Sequence, residues 1–214
     1  MEDLRTLNPN QLDALREVAN IGAGHAATAL SQMIGATIMI NVPTIVVARL
    51  EDVPTQVAED DEPVAAVLMH LMGDLTGRTL LVFPRRTAIR LASMLLHRPP
   101  AGDGFTEMEQ SAIKEAGNIL SSAYMNALSD FMGLMLLPSP PSLAIDDSTA
   151  VLTTAYLQFG SERDYVFCVE SEFRLADIDE RVRGLFLLLP DAASLQTILK
   201  AVTGRLTHGS HFRA

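Results

Sequence analysis

The sequence predicts an α+β protein built from two α-β-β-β-α repeats that share one antiparallel sheet. Three observations support this fold class. A long helix-like segment occurs twice at a constant offset, each copy is followed by three short apolar runs typical of strands, and each third run leads into a further helical segment. We expect a pseudo-two-fold axis between the repeats, with the two long helices on one face of the sheet.

The repeat is clearest in the two long helical segments. DALREVANIGAGHAATALSQMIG, from residue 13, aligns with SAIKEAGNILSSAYMNALSDFMG, from residue 111, at an offset of 98. Eight of the 23 columns are identical: Ala14/Ala112, Glu17/Glu115, Asn20/Asn118, Ile21/Ile119, Ala29/Ala127, Leu30/Leu128, Ser31/Ser129 and Gly35/Gly133. Two unrelated amphipathic helices match readily at apolar columns, but the shared Glu, Asn and Ser indicate a true internal duplication.

Both long segments have the start and stop signals of a helix. The first begins at NPN, with Asn8 as N-cap and proline at the first helical position, and ends near Gly35. The second begins with a capping box formed by Thr106 and Glu109, and ends at Gly133. These signals predict two helices of similar length.

The predicted strands are β-branched or apolar runs bounded by Pro, Gly and Asp. In chain order they are TIMINVPTIVVARL (37–50), PVAAVLMHLMG (63–73) and GRTLLVFP (77–84), then AVLTTAYLQFG (150–160), DYVFCVESEFRLA (164–176) and RGLFLLLP (183–190). Since a three-stranded sheet with one apolar face is marginal alone, we expect a single domain over residues 1–214. Its two repeats span roughly residues 8–98 and 105–204, and the loop RPPAGDGF links them.

The bulk composition excludes several classes of function. The 214-residue chain has a net charge of −10, which disfavours binding to nucleic acid or to anionic lipid. A single Cys cannot form an internal disulfide, and the N-terminus lacks the basic and apolar regions of a signal peptide. Polar residues interrupt the most apolar region, 18–48, so we expect no membrane insertion and a cytoplasmic location.

Each long helix displays a row of polar side chains on one side. At 100° per residue the rows fall within an arc of about 60°. They comprise Asp13, Glu17 and Asn20 on the first helix, and Ser111, Glu115 and Asn118 on the second. A solvated helix face is the ordinary explanation of one such row. However, Asn is a mediocre helix former, and its recurrence at the matching position indicates a task for the amide.

A Glu-x-x-Asn pair on a helix surface contains no strong nucleophile. The Asn amide can hold a water molecule in one orientation, and the Glu can pair with a cation on a partner. This resembles the way a glutamine positions water for phosphoryl hydrolysis in a GTPase. The chain has neither a Walker loop nor a clustered set of Asp residues for magnesium. We therefore expect no cofactor on this chain, and we expect the phosphate and metal to arrive on the partner.

The doubled pattern, in EVANIGAGHAATALS and EAGNILSSAYMNALS, closely resembles that of the CheC/CheX/FliY family of chemotaxis phosphatases, and among them the CheC proteins. The resemblance covers nearly the whole chain. It implies hydrolysis of phospho-CheY, whose phosphoryl group sits on an Asp beside a bound Mg²⁺. It also implies that Glu contacts a Lys of CheY and that Asn directs the attacking water.

Carried over by position, the resemblance implies two complete sites, Glu17 with Asn20 and Glu115 with Asn118. Asp13 and Ser111 match the first position of the motif, which is a supporting one. The resemblance also implies binding of the receptor deamidase CheD, and we expect a monomer. Glycines 22 and 24 soften the first helix, so we expect the second site to be the more active.

Two other functions remain as alternatives. The chain can be a non-catalytic adaptor that binds CheD or the flagellar switch and merely retains the motif, because kinship of fold does not fix activity. An enzyme acting on small molecules is disfavoured, because the sequence shows no convergent set of titratable groups.

Overall fold

The computed structural model describes residues 8–41, 43–49, 63–102, 104–157, 165–175 and 181–209. Within these ranges the chain forms five helices and eight strands. The helices are α1 (Pro9–Ile34), α2 (Arg85–Leu95), α3 (Glu107–Met132), α4 (Ser148–Leu157) and α5 (Ala192–Gly209). The strands are β1 (Ile38–Ile40), β2 (Thr44–Arg49), β3 (Pro63–Gly73), β4 (Gly77–Pro84), β5 (Leu136–Pro138), β6 (Ser142–Asp147), β7 (Tyr165–Leu175) and β8 (Arg181–Pro190).

All eight described strands belong to one sheet. Its order is β1-β7-β8-β4-β3-β5, with β2 also paired to β7 and β6 also paired to β3. Every described pairing is antiparallel. The predicted α+β fold with one shared antiparallel sheet is therefore confirmed.

The two repeats exchange their edge strands. β1 and β2 follow α1 but pair with β7 of the second repeat, whereas β5 and β6 follow α3 but pair with β3 of the first. The repeats also meet at the centre of the sheet, where Leu80 of β4 lies opposite Leu187 of β8. Each repeat thus supplies the outer strands of the other repeat's half of the sheet.

One predicted strand is wrong. Residues 150–160 were expected to be extended, but the structure forms α4 there, from Ser148 to Leu157. The Asp147 carboxylate accepts hydrogen bonds from the backbone N–H groups of Thr149 and Ala150, which is how a helix N-terminus is satisfied. The strands that follow α3 are instead β5 and β6, in the proline-containing sequence LLPSPPSLAIDD, whose prolines are atypical of strands.

The first predicted strand, 37–50, is divided in two. β1 and β2 lie in line along β7, and Pro43 lies between them. A proline cannot donate to a strand ladder, so it interrupts the pairing at this edge of the sheet. The equivalent edge, β5 and β6, is likewise divided by prolines.

The two long helices pack against each other on one face of the sheet, as predicted. Their buried sides carry small and medium apolar residues at helical spacing and belong to the main core. These are Leu15, Ala19, Ala23, Ala26 and Leu30 of α1, and Ile113, Ala116, Leu120, Ala123 and Ala127 of α3. Gly22 lies at the crossing, because a Cβ there would stand 2.7 Å from Cδ1 of Tyr124.

The helix ends also follow the sequence signals. Asn8 and Thr106 each accept a hydrogen bond from the third residue of their helix, in reciprocal capping boxes with Gln11 and Glu109. Both helices end at a glycine in the left-handed region, with φ of 69° and 68°. Among the described residues, no helix is both long and apolar enough to cross a membrane.

Candidate functional site

The structure places both Glu-x-x-Asn pairs on the outer side of the helix layer. On α1, Glu17 and Asn20 are exposed, while the two residues between them are buried. On α3, Glu115 is exposed and Asn118 is half-buried, and again the intervening pair is buried. Because residues three apart are neighbours on a helix surface, each carboxylate lies beside its carboxamide.

The two supporting positions lie one turn before each glutamate. Asp13 and Ser111 are both exposed. The Asp13 carboxylate accepts a hydrogen bond of 2.7 Å from Nη1 of Arg16 on the same helix. Both partners are well exposed, so this ion pair contributes little to stability. It does place a cation and an anion at the end of the row on α1.

The shared Leu-Ser at the end of the motif has a structural task. The Ser31 hydroxyl donates to the carbonyl of Ala27 and accepts from the backbone N–H of Ile38 at 2.9 Å. The Ser129 hydroxyl donates to the carbonyl of Leu134. Each serine therefore fastens the end of its helix to the segment that leads into the next strand. Each serine lies four residues before the glycine that ends its helix, and this position in the sequence points to a role in closing the helix.

The second site stands on a helix that touches the sheet directly. Gly117, which precedes Asn118, faces Val67 of β3, and a Cβ at Gly117 would lie 2.6–2.7 Å from all three side-chain carbons of that valine. Val67 is fully buried. The absence of a side chain at Gly117 thus sets how closely α3 approaches the sheet and so fixes the position of Asn118.

The first site has a looser support. The offset of 98 places Ala19 at the position of Gly117. Ala19 lines an apolar cavity of about 30 Å³, together with Val169, Tyr124 and Phe186. The rings of Tyr124 and Phe186 are stacked with their centroids 4.7 Å apart. The two motif helices therefore rest on the same sheet through different contacts.

The chemistry that these surfaces offer is limited and specific. A carboxylate can pair with a cation, and a carboxamide can both donate to and accept from a water molecule. Within the described ranges, no group of three or more His, Cys, Asp or Glu side chains is placed to hold a metal ion. Exposed carboxylate and carboxamide groups of this kind can form polar contacts with another molecule.

The fold defines the class of protein. The solved structure of FliY from Thermotoga maritima superposes with a TM-score of 0.74 at 22% identity, over 93% of this chain and 98% of that one. This chain therefore has the same overall fold as that structure.

The sequence comparisons find a matching family model and relatives of named activity. A model of the CheC-like family matches residues 11–47 and 108–145, which contain both motifs. The chain is 29% identical over 203 residues to the CheY-P phosphatase CheC of Bacillus subtilis, covering 94% of this chain and 97% of that protein. It is also 27% identical over 151 residues to the flagellar motor switch phosphatase FliY of the same organism, over 67% of this chain and 38% of that protein. The CheC-like family model thus matches both halves of the chain, and both of these relatives are named as phosphatases.

Proposed function

We propose that this protein hydrolyses the aspartyl phosphate of phosphorylated CheY in chemotaxis. The observation that carries the proposal is the Glu-x-x-Asn pair, displayed on the outer faces of both α1 and α3. It is supported by the full-length similarity to a relative named as a CheY-P phosphatase. Glu17, Asn20, Glu115 and Asn118 are the proposed catalytic residues, with Asp13 and Ser111 in support.

The proposed role of each asparagine is to orient the attacking water. Transfer of a phosphoryl group passes through a loose transition state, so catalysis rests on positioning and on charge rather than on covalent chemistry by the protein. The amide oxygen of Asn20 or Asn118 accepts a hydrogen bond from the water and holds the water oxygen in line with the phosphorus. The phosphorylated partner carries the Mg²⁺ that neutralises the phosphoryl oxygens.

The proposed role of each glutamate is to dock the partner. Glu17 and Glu115 are exposed carboxylates one turn from the asparagine, where they can pair with a lysine of CheY. An exposed ion pair is weak by itself, but a charge at a fixed distance from the reacting group aligns the partner on the helix. Two sites of this kind, one on each repeat, bind two copies of the partner independently.

Two further properties are proposed from the family resemblance. One is binding of the deamidase CheD, with stimulation of the phosphatase. The other is a monomeric state, because both motifs lie on one chain. Light scattering of the protein alone and with CheD tests the monomeric state and the binding, and phosphate release with and without CheD tests the stimulation.

The decisive experiment measures phosphate release from Mg²⁺-loaded phospho-CheY with catalytic amounts of the protein. Multiple turnovers are expected, and the double variant Asn20→Ala/Asn118→Ala is expected to bring the decay back to the spontaneous rate. The matched control is Gln32→Ala, an exposed amide on α1 three turns from Asn20. Binding of phospho-CheY or CheD without faster decay would instead identify the protein as an adaptor.

A further inference from the structure

Gly24 is a helical glycine that the packing of the described structure does not require. It lies in the middle of α1 and is exposed, and a Cβ built on it would meet no atom within 4 Å. The other glycines in the long helices differ, because Gly22 faces Tyr124 and Gly117 faces Val67 at less than 3 Å. Glycine is the least favourable helix residue after proline, so its presence at residue 24 calls for another reason.

Gly24 lies on the same surface as the first Glu-x-x-Asn pair. It is four residues beyond Asn20 and three beyond Ile21, so it is a neighbour of each of them on the helix surface. Ile21 is 43% exposed, which is unusual for a large aliphatic side chain on a helix that otherwise buries such residues. The Thr28 hydroxyl donates to the carbonyl of Gly24 at 2.9 Å. The helix surface at residue 24 is therefore a shallow notch flanked by Asn20, Ile21 and Thr28.

We propose that this notch, formed at Gly24 and bordered by Ile21, is where the phosphorylated partner makes its closest approach to the first site. The inference rests on the proposed function. The carboxamide of Asn20 is joined to the backbone by a single methylene group, so it reaches a phosphoryl group only if the partner's surface comes close to the helix. A side chain one turn away at residue 24 would hold that surface off. Ile21 lies about 100° around the helix from Asn20, on the same flank as Gly24, and offers the partner an apolar contact that excludes bulk water.

The second repeat carries the same arrangement in a modified form. The offset of 98 places Ser122 at the position of Gly24 and Ile119 at that of Ile21. A small residue and an isoleucine thus accompany both asparagines. Ser122 and Ile119 are half-buried, whereas Gly24 and Ile21 are exposed, so the notch is more open at the first site.

The test isolates the first site in an Asn118→Ala parent protein. Into this parent we introduce Gly24→Ala, Gly24→Leu and Ile21→Ser, with Gln32→Leu as the matched control on an exposed position two turns further along α1. The readout is kcat and KM for phosphate release from phospho-CheY, with the urea midpoint measured on each variant. Gly24→Leu is expected to lower kcat/KM at least about tenfold, because small displacements of reacting groups cost this much. Gly24→Ala is expected to have a smaller effect, and Ile21→Ser to raise KM.

The urea midpoints distinguish a variant that has lost contact with the partner from one that folds less stably. Leucine and alanine are better helix formers than glycine, so neither Gly24 variant should lower the urea midpoint. Full activity of Gly24→Leu, or an equal loss in Gln32→Leu, would overturn the inference while leaving the phosphatase intact. An inactive parent beside an active wild type would also overturn it, since the first site would then take no partner. An inactive wild type would instead remove the proposed function itself.

Discussion

The position of α3 on the sheet can be tested by adding one methyl group. In Gly117→Ala the new Cβ would lie 2.6–2.7 Å from the three side-chain carbons of Val67. Val67 cannot move aside easily, because it is β-branched, fully buried and held in β3 between Leu81 of β4 and Leu143 of β6. The helix must therefore lift from the sheet. Gly24→Ala is the matched control, since the same methyl group on α1 meets nothing within 4 Å.

The two substitutions should change stability in opposite directions. Replacing glycine by alanine in a helix contributes about 1 kcal/mol of stability in either case. Overpacking of a core costs about 1–3 kcal/mol, and contact with three carbons of a stiff side chain favours the upper half of that range. Gly117→Ala should thus lose about 1–2 kcal/mol net, and Gly24→Ala should gain up to about 1 kcal/mol. For a chain of this size each 1 kcal/mol shifts Tm by about 2–4 °C.

Urea and thermal unfolding of both variants measure these changes directly. The combination Gly117→Ala/Val67→Ala sharpens the test, because the smaller residue at 67 makes room for the new methyl group. Its loss of stability should be at least about 1 kcal/mol smaller than the sum of the two single losses, since the residues are in contact. If Gly117→Ala is as stable as Gly24→Ala, or if the two losses simply add, α3 does not rest on Val67 as described.

Four other predictions follow from the same structure. Asn20→Ala and Asn118→Ala should each leave part of the phosphate-release activity and the double variant almost none; if either single variant is already inactive, only one site is catalytic. In steady-state kinetics, Glu17→Ala and Glu115→Ala should chiefly raise KM, whereas the Asn variants should chiefly lower kcat. If the Asn variants raised KM as much as the Glu variants do, the amide would be only a docking contact. Hydrogen bonds from the backbone N–H of Thr106 and then from its hydroxyl hold the pKa of Glu109 below its ordinary value of 4.5, so the stability that Glu109 provides is fully present above about pH 4.5 and is lost as the pH falls through the lowered pKa. Glu109→Gln should therefore be less stable at pH 7, and its urea midpoint should decline less on acidification than that of the wild type. A variant with the pH dependence of the wild type would contradict this role. Because the repeats exchange edge strands, the whole chain should unfold in one calorimetric transition, and two separate transitions would contradict a single domain.

Features that depend on local chemistry could be predicted from the sequence. The capping boxes at Asn8 and Thr106, the left-handed glycines and the buried sides of both long helices all follow from side chains within one or two turns. The exposure of Glu17 and Asn20 follows from the same 3.6-residue period. The sequence therefore predicts where the candidate residues point, although their catalytic role stays a prediction.

Features that depend on distant partners could not be predicted. The pairing of β1 with β7 and of β5 with β3 joins segments far apart in the chain, and nothing in their local pattern selects the partner. The prediction of a strand where α4 forms was wrong for a related reason. Residues 150–157 have high β-propensity, but they follow the Asp147 carboxylate, which caps a helix. The role of Ser129 also depends on a contact outside its helix, because its hydroxyl donates to the carbonyl of Leu134 beyond the helix end.

The internal duplication separates what the fold requires from what it does not. The packing beneath the two motifs has diverged: Gly117 meets Val67, whereas the equivalent Ala19 borders a cavity. The glutamate and the asparagine are nevertheless identical in both helices, although none of them is buried: Glu17, Asn20 and Glu115 are exposed and Asn118 is half-buried. A residue retained for packing should change when its support changes, as position 19 differs from position 117. The Glu-x-x-Asn pairs do not follow that rule, which argues that contact with something outside this chain maintains them.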